Sequence, residues 1–439
     1  MRNSGLELAL WLGAYILLVA LPLGVAAAGD VPPGRGLWLE FAVGLGFVGF
    51  AMMVLQFALT ARFRWIAPSF GLDTLLQFHR QAGIVSFVMV LTHPAILFVV
   101  EPDYLEYLNP FSSFARAAAL WAALGALLLL IGSAIWRPQL QLRYEWWRTS
   151  HAALSTFVVF VGTVHMFRVG YYMSEPWKQA AVLGMTAAAV GLLGYTRGIR
   201  PLRLRRTPYR VVEVLSEAGK SWTVMVEPVG HAGLRFEPGQ FAWVTFDANP
   251  FSLEQHPFSF SSSAESRQIG FTIKALGDFT SRAGELQPGT PAFIDGPYGA
   301  FTLDAGATAG AVFVAGGVGI TPIMSILRTL RDRGDERPFT LVYAVGLLDT
   351  MVFREELEAM TATLNLRLVL VPREAPPQWT GEHGDPTPAL LEKVLPTDDS
   401  KRLRYLVCGP PGLMDLTETF LRQRGTPGRH INAERFDIA

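Results

Sequence analysis

The sequence predicts an all-α membrane bundle of six helices, followed by a small antiparallel β-barrel and an α/β doubly wound domain. Three observations carry this expectation. Of the 74 charged side chains (37 Lys plus Arg, 37 Asp plus Glu), 22 fall in residues 1 to 200, leaving 74 minus 22, or 52, for residues 201 to 439. The charge-poor part holds six apolar runs, each near the ~20 residues that a helix needs to cross ~30 Å of hydrocarbon. Beyond it the pattern turns to short β-rich runs and then to alternating strand and helix.

The six runs are Leu6 to Ala28, Leu37 to Leu59, Ala82 to Val100, Ala117 to Ile135, Ser150 to Val169 and Gln179 to Tyr195. The first ends in Val25-Ala26-Ala27-Ala28, which resembles a signal-peptidase site, but its length and Glu7 near its start favour an anchor. Arginine sets the direction. Arg62, Arg64 and Arg80 lie between runs two and three, Arg137, Arg143 and Arg148 between four and five, and six arginines from Arg197 to Arg210 after run six. The opposite loops are poorer in arginine, so both termini are expected in the cytoplasm.

Composition also excludes. Zero net charge argues against nucleic acid as a partner. The single cysteine, Cys408, cannot build a disulfide framework, a four-thiolate cluster, a Cys-x-x-Cys-His attachment or a Cys-rich zinc site. Any metal must therefore rest on histidine. Four of the eight histidines fall in or beside two runs: His79 and His93 on the third, His151 and His165 on the fifth. Both pairs are 14 residues apart. At ~100° per residue that is ~40° short of four turns, so each pair shares a helix face ~21 Å apart along the axis. Two cross-helix pairs follow, His79 with His151 and His93 with His165. Isolated polar residues between helices are the bland reading; the repeated spacing favours two b-type haems, each clamped by two imidazoles. Arg80, Arg143 and Arg148 fit haem propionates and orientation charges equally well. Phe87 and Phe157 lie between the two histidine levels, and ordinary packing explains them too.

Strands are expected at Tyr209 to Val214, Ser221 to Glu227, Gln240 to Phe246, Ile269 to Ala275 and Ala292 to Asp295, forming the barrel. The barrel carries His256-Pro257-Phe258-Ser259, then Lys274-Ala275-Leu276-Gly277-Asp278-Phe279-Thr280. A flat redox ring wants an aromatic face, a reducible nitrogen wants a short hydroxyl, and a pyrophosphate wants backbone amides with a cation. Phe258, Ser259, Gly277, Thr280 and Lys274 supply those types. From Ala311, an apolar strand feeds Gly316-Gly317-Val318-Gly319-Ile320-Thr321-Pro322, which brings bare amides and a helix start toward a phosphate. Alone, this could be a structural turn. Cys408-Gly409-Pro410 repeats the strand-to-turn arrangement, and Glu434-Arg435-Phe436 lies near the end. Domain limits are expected at 1–197, 198–208 for a linker, 209–304 and 305–439.

This ordered set resembles the ferric reductase and NADPH oxidase superfamily in a compact bacterial form, a haem-bearing six-span domain joined to a ferredoxin-NADP reductase-like half. The resemblance implies that His256, Pro257, Phe258 and Ser259 bind FAD, with Phe258 and Ser259 beside the isoalloxazine, and that Gly277 to Thr280 meets its pyrophosphate. It implies that Gly316 to Pro322 and Cys408 to Pro410 receive NADPH or NADH, and that Phe436 covers the flavin until nicotinamide displaces it. Ser259, Cys408 and Phe436 would then lie at the hydride-transfer centre, although Cys408 would look the same as a small buried residue. Phe157 matches an aromatic found between the haems of oxidase relatives. Leu97 stands where animal oxidases often have another histidine. No arginine follows the second nucleotide-domain strand, Tyr343 to Leu347, which weakens an NADPH-only assignment. With no EF-hand loop, activity is expected without calcium.

The expected function is transmembrane electron transfer in the bacterial inner membrane, from cytosolic NAD(P)H through FAD and the haems to dioxygen or a ferric chelate. The alternative is an electron-relay subunit that serves a protein partner. A helical anchor for a flavin reductase is a third reading, and it predicts no haem spectrum.

Overall fold

Long apolar sequence forms helix in the first part of the chain because hydrocarbon offers no partner for an exposed backbone amide. The computed structural model describes residues 4–63, 72–303, 309–396 and 403–435. Its helices are α1 (Ser4–Ala26), α2 (Leu37–Leu59), α3 (Leu72–Val100), α4 (Phe114–Ile135), α5 (Tyr144–Val169) and α6 (Pro176–Gly194). Among the described residues six helices are long and apolar enough to cross a membrane. Helices α3 and α5 begin well before the apolar runs that announce them. Their polar first turns escape a search for hydrocarbon but contain nothing that breaks a helix. His79 and His151 are thereby placed inside helices rather than at their ends.

The chain divides chiefly between Ile199 and Arg200 into two compact units, the second of which also takes in Phe63 and Asp73 from the connection that leads from α2 into α3. In the first, α2 is the buried helix: Phe47, Phe50, Val54 and Phe57 pack with Val159 of α5 and with Val182 and Ala189 of α6. Small residues set the closest crossings. A Cβ on Gly49 would lie 2.8 Å from Val90 of α3, and one on Gly162 of α5 would lie 3.1 Å from Phe50. At one end of the bundle the fully buried Lys178 pairs with Glu175 at 2.9 Å and donates to the carbonyl of Asp30 at 3.1 Å. That contact ties the α1–α2 connection to the start of α6. Beside it Arg35 lies 4.1 Å over the Tyr171 ring, and Tyr172 donates its hydroxyl to Glu40.

The second unit holds two sheets. The first is antiparallel, in the order β4-β3-β6-β1-β2-β5, with β1 Tyr209–Glu217, β2 Ser221–Pro228, β3 Phe241–Phe246, β4 His256–Ser259, β5 Ile269–Lys274 and β6 Pro291–Tyr298. It is a curled half-barrel whose two edges meet through the bridge Phe260–Phe271. The strand His256–Ser259 was not among those expected: a proline and two aromatics in four residues do not alternate. Asp295 is 2% exposed, accepts from the Tyr298 hydroxyl at 2.7 Å and faces Arg200 at 3.4 Å, which fixes the start of this unit to β6.

The second sheet is parallel, in the order β11-β10-β7-β8-β9: β7 Ala311–Gly316, β8 Phe339–Leu347, β9 Leu366–Glu374, β10 Arg404–Cys408 and β11 Ile431–Glu434. Register aligns Glu434, Cys408, Ala315, Tyr343 and Leu370 in one row near the carboxyl ends of the strands. That edge is where ligands of such sheets bind. Helix α7 (Ile320–Asp332) joins the two sheets. Its Ser325 donates to Ser262 O at 2.7 Å, its Arg328 to Ser261 O at 2.6 Å, and its Thr329 Oγ1 accepts from Ala264 N–H at 2.9 Å.

Candidate functional site

The two histidine pairs are built by α3 and α5 alone. His79 and His151 have ring centres 6.3 Å apart, and His93 and His165 have theirs 6.4 Å apart. Bare aromatic contacts cover the same range, so the spacing needs a second observation. For one metal between two imidazoles, a bond of about 2.0 Å plus about 1.1 Å from nitrogen to ring centre on each side predicts about 6.2 Å. The second observation is polar satisfaction. Among the described residues, His79 Nδ1, His151 Nδ1, Trp147 Nε1, the Tyr15 hydroxyl and both amide atoms of Gln56 are buried without a hydrogen-bond partner. In hydrocarbon each such atom costs several kcal/mol. Trp147 lies 5.2 Å from His151, so unsatisfied polar atoms gather at this pair. At the other pair His93 Nδ1 lies 2.8 Å from Ala42 O. A carbonyl only accepts, so Nδ1 carries the proton and Nε2 keeps its lone pair for a metal. Gly46 makes room for that ring, since a Cβ there would lie 3.1 Å from His93 Nδ1.

The residues around the pairs divide. Arg80 is exposed, Arg143 is 3.9 Å from Glu145, and Arg148 is half-buried. Phe87 packs with Ala126, Leu127 and Val158, while Phe157 is 40% exposed. No group of three or more His, Cys, Asp or Glu side chains able to hold a metal occurs among the described residues. Among the described residues the two pairs are therefore the candidate metal ligands.

In the half-barrel, β4 presents His256, Pro257, Phe258 and Ser259 opposite β3. Ser259 is buried with its hydroxyl unpartnered, as a group reserved for a ligand nitrogen would be. His256 stacks on Phe279 at 4.5 Å, and Phe258 lies 6.2 Å from the same ring. Phe279 is thus the centre of the aromatic surface. Sequence reasoning passed over it, although it stands between Gly277 and Thr280. Thr280 Oγ1 accepts from the amides of Leu276 and Gly277 at 2.9 and 2.8 Å, so this side chain shapes the turn itself. Lys274 ends β5 and lines a cleft of about 450 Å³ with Ser221, Gly316, Gly317, Pro410 and Leu413.

That cleft lies along the carboxyl ends of the parallel strands. Its floor needs glycine: a Cβ on Gly316 would lie 2.5 Å from Pro410, and one on Gly319 would overlap the carbonyl of Cys408. Gly409 in turn sits against the Gly316 backbone. Ile320, Thr321 and Pro322 are buried at the start of α7, so they position the turn and leave ligand contact to backbone amides. Cys408 is fully buried; burial, and then the Glu434 carboxylate, push its thiol well above the ordinary range. It is therefore a neutral thiol at physiological pH. Glu434, 7% exposed and within reach of Gly299 of the half-barrel, is a site residue that the sequence reading quoted without a role. Phe436 lies outside the described residues.

Comparison with known proteins gives three domain matches in this order. "Ferric reductase like transmembrane component" matches residues 45–163, an FAD-binding domain matches 223–302, and an oxidoreductase NAD-binding domain matches 313–419. The chain is a fusion of a ferric reductase-like membrane domain with flavin and nicotinamide domains. Among similar proteins, "Ferredoxin--NADP reductase B" of Sorangium cellulosum is 28% identical over 35% of this chain and 64% of its own length. "NADH-cytochrome b5 reductase 2" of Chaetomium globosum is 31% identical over 32% of this chain and 41% of its own. The chain thus spans less than two thirds of either relative. Among solved structures, the flavohaem-like FAD/NAD-binding domain of nitric oxide dioxygenase from Vibrio cholerae O1 biovar El Tor is 22% identical. It covers 52% of this chain and 98% of that one with a TM-score of 0.47.

Proposed function

We propose that this protein is a transmembrane oxidoreductase that moves electrons from cytosolic NADH or NADPH, through FAD and two b-type haems, to dioxygen or a chelated ferric ion on the opposite face. The observation that carries the reading is the repetition of one imidazole pair, at 6.3 and 6.4 Å, on the same two helices. The arginine-rich loops support cytoplasmic termini in a bacterial inner membrane.

His79 with His151 and His93 with His165 would hold the haems, and His256 to Ser259 with Phe279, Gly277 and Thr280 would hold FAD. When bound, FAD takes two electrons as hydride and releases them singly, and bis-imidazole haem carries one electron with no open metal position. The chain's own residues position and exclude. Amides of the Gly316–Gly319 turn would meet the donor's pyrophosphate, and Lys274 lines the same cleft. The Ser259 hydroxyl is held ready for a flavin nitrogen by β4. The fully buried, neutral Cys408 thiol would add bulk without charge behind the donor turn, and Glu434, beside it in the strand row, would supply a carboxylate.

The test is anaerobic addition of NADH or NADPH to the purified, haem-loaded and FAD-loaded protein, watched optically, followed by dioxygen or ferric citrate. Flavin bleaching, then reduced-haem bands, then reoxidation by one acceptor are expected. A protein with no Soret absorbance after haem supplementation would overturn the proposal. Haem that reduces but is reoxidised by neither acceptor would point to an electron-accepting protein partner.

A further inference from the structure

The cleft contains one ion pair that the proposed chemistry leaves unused. Arg373, at the end of β9, and Asp385 line the cleft together with Gly346 of β8, and Arg373 Nε donates to Asp385 Oδ1 at 2.5 Å. Chain geometry fixes this pair. The amide of Gly384, at φ 96°, donates to Pro372 O at 3.0 Å and holds the returning segment against the end of β9. Trp379 Nε1 donates to Glu382 O at 2.9 Å and folds the loop between them. Arg373 and Asp385 flank that backbone bond, so each faces the other at the mouth of the cleft.

What flanks the cleft assigns the two ends of a dinucleotide laid across it. The glycine turn after β7 takes the pyrophosphate. On one side of β7 lie β10 and β11, where Glu434 approaches Gly299 of the flavin half-barrel; the reacting ring belongs there. The adenosine half must run the other way, over β8 to β9, two strand spacings or about 10 Å from the turn. Its ribose then arrives at Arg373 and Asp385.

We propose that this pair reads the 2′ position of the donor's adenosine ribose and makes the protein prefer NADH to NADPH. The inference rests on the reading of this cleft as the donor site. A 2′-hydroxyl can donate to the Asp385 carboxylate and accept from Arg373 without parting them. A 2′-phosphate, a double anion, must face that carboxylate and take the guanidinium away from it. Asp385 therefore acts against the phosphate, and Arg373 is the latent phosphate ligand that it occupies.

The experiment uses the full-length, FAD-loaded protein and the variants Asp385→Asn and Arg373→Gln. Both side chains are about two-thirds exposed, at 64% and 66%, so neither substitution disturbs a core. Rapid anaerobic bleaching of the flavin by NADH and by NADPH gives kcat/KM for each donor, and calorimetry gives binding of 5′-ADP and of 2′,5′-ADP. Wild type is expected to favour NADH. Asp385→Asn should raise the NADPH-to-NADH ratio about tenfold, with a parallel gain for 2′,5′-ADP. Arg373→Gln in the Asp385→Asn background should abolish that gain. A ratio that moves less than about twofold in Asp385→Asn, or a gain that survives Arg373→Gln, would overturn the inference. If neither donor bleaches the flavin, the oxidoreductase reading fails separately, and the two ADP titrations still decide whether the pair reads the 2′ position.

Discussion

His93 has its Nδ1 proton committed to a backbone carbonyl, whereas Nδ1 of both His79 and His151 is buried without a partner. The protein therefore sets the tautomer and ring angle of His93, and leaves those of His79 and His151 to the group that would bind there. Each pair should hold its haem independently. His93→Ala or His165→Ala should lower bound haem from about two to about one per chain, and so should His79→Ala or His151→Ala. The pyridine haemochrome assay checks this, and full haem retention in all four variants would rule the pairs out. At the other titratable residue of interest, burial raises the Cys408 thiol. Because the folded pKa lies above the unfolded value of ~8.5, the native state resists thiolate formation, and its contribution is lost only as pH rises beyond the ordinary thiol range. Iodoacetamide at pH 8 should label unfolded protein and spare native protein. Equal labelling rates would show that the thiol is not enclosed by its strand row.

At the scale of elements, the glycine turn and the Lys178 tether are each specific enough to break. Gly319 has Cys408 O where its Cβ would be, so Gly319→Ala must push the turns after β7 and β10 apart. That overpacking costs about 1–3 kcal/mol. Thermal melting should fall by several degrees, with KM for the donor rising and FAD content unchanged. The tether responds to pH. Hydrogen bonds from Lys178 and Trp177 hold the Glu175 carboxyl below its ordinary range. A depressed carboxylate pKa adds stability above the unfolded value of ~4.3 and loses it as pH falls through the folded value. Melting in detergent should thus be most sensitive to Glu175→Gln above about pH 5 and should lose that sensitivity as pH falls below the ordinary carboxylate range. Elements of this kind also show what was legible in advance. Apolar length and the 14-residue histidine spacing announce the bundle and its pairs, because both depend on helical period alone. Phe279, Glu434, Arg373 and Asp385 could not be read in the same way. Their roles come from strand register and from a loop returning across β9, and local pattern carries neither. His256–Ser259 was legible as chemistry but not as a strand, because Pro257 and two aromatics hide the alternation.

At the scale of the whole molecule, the division between Ile199 and Arg200 separates the chemistry by unit. All four paired histidines lie before it; the β4 segment, both glycine turns and the cleft lie after it. The second unit has its own cores around Phe271 and Phe313. It also keeps the Arg200–Asp295 contact that seats its first residues on β6. It should therefore fold when produced as residues 200–439 alone. Such a fragment should bind FAD, reduce ferricyanide with NADH, and retain the donor preference of the full-length protein, since every residue of the cleft travels with it. It should show no Soret absorbance after haem supplementation, because it carries none of the paired histidines. The full-length protein in liposomes should reduce an impermeant ferric chelate trapped on the face opposite the donor, while fragment added outside the same liposomes should not. Transfer by the fragment across an intact bilayer would mean that the electron route does not pass through the helical unit. A fragment that binds FAD but loses NADH oxidation would place part of the donor site in the membrane unit.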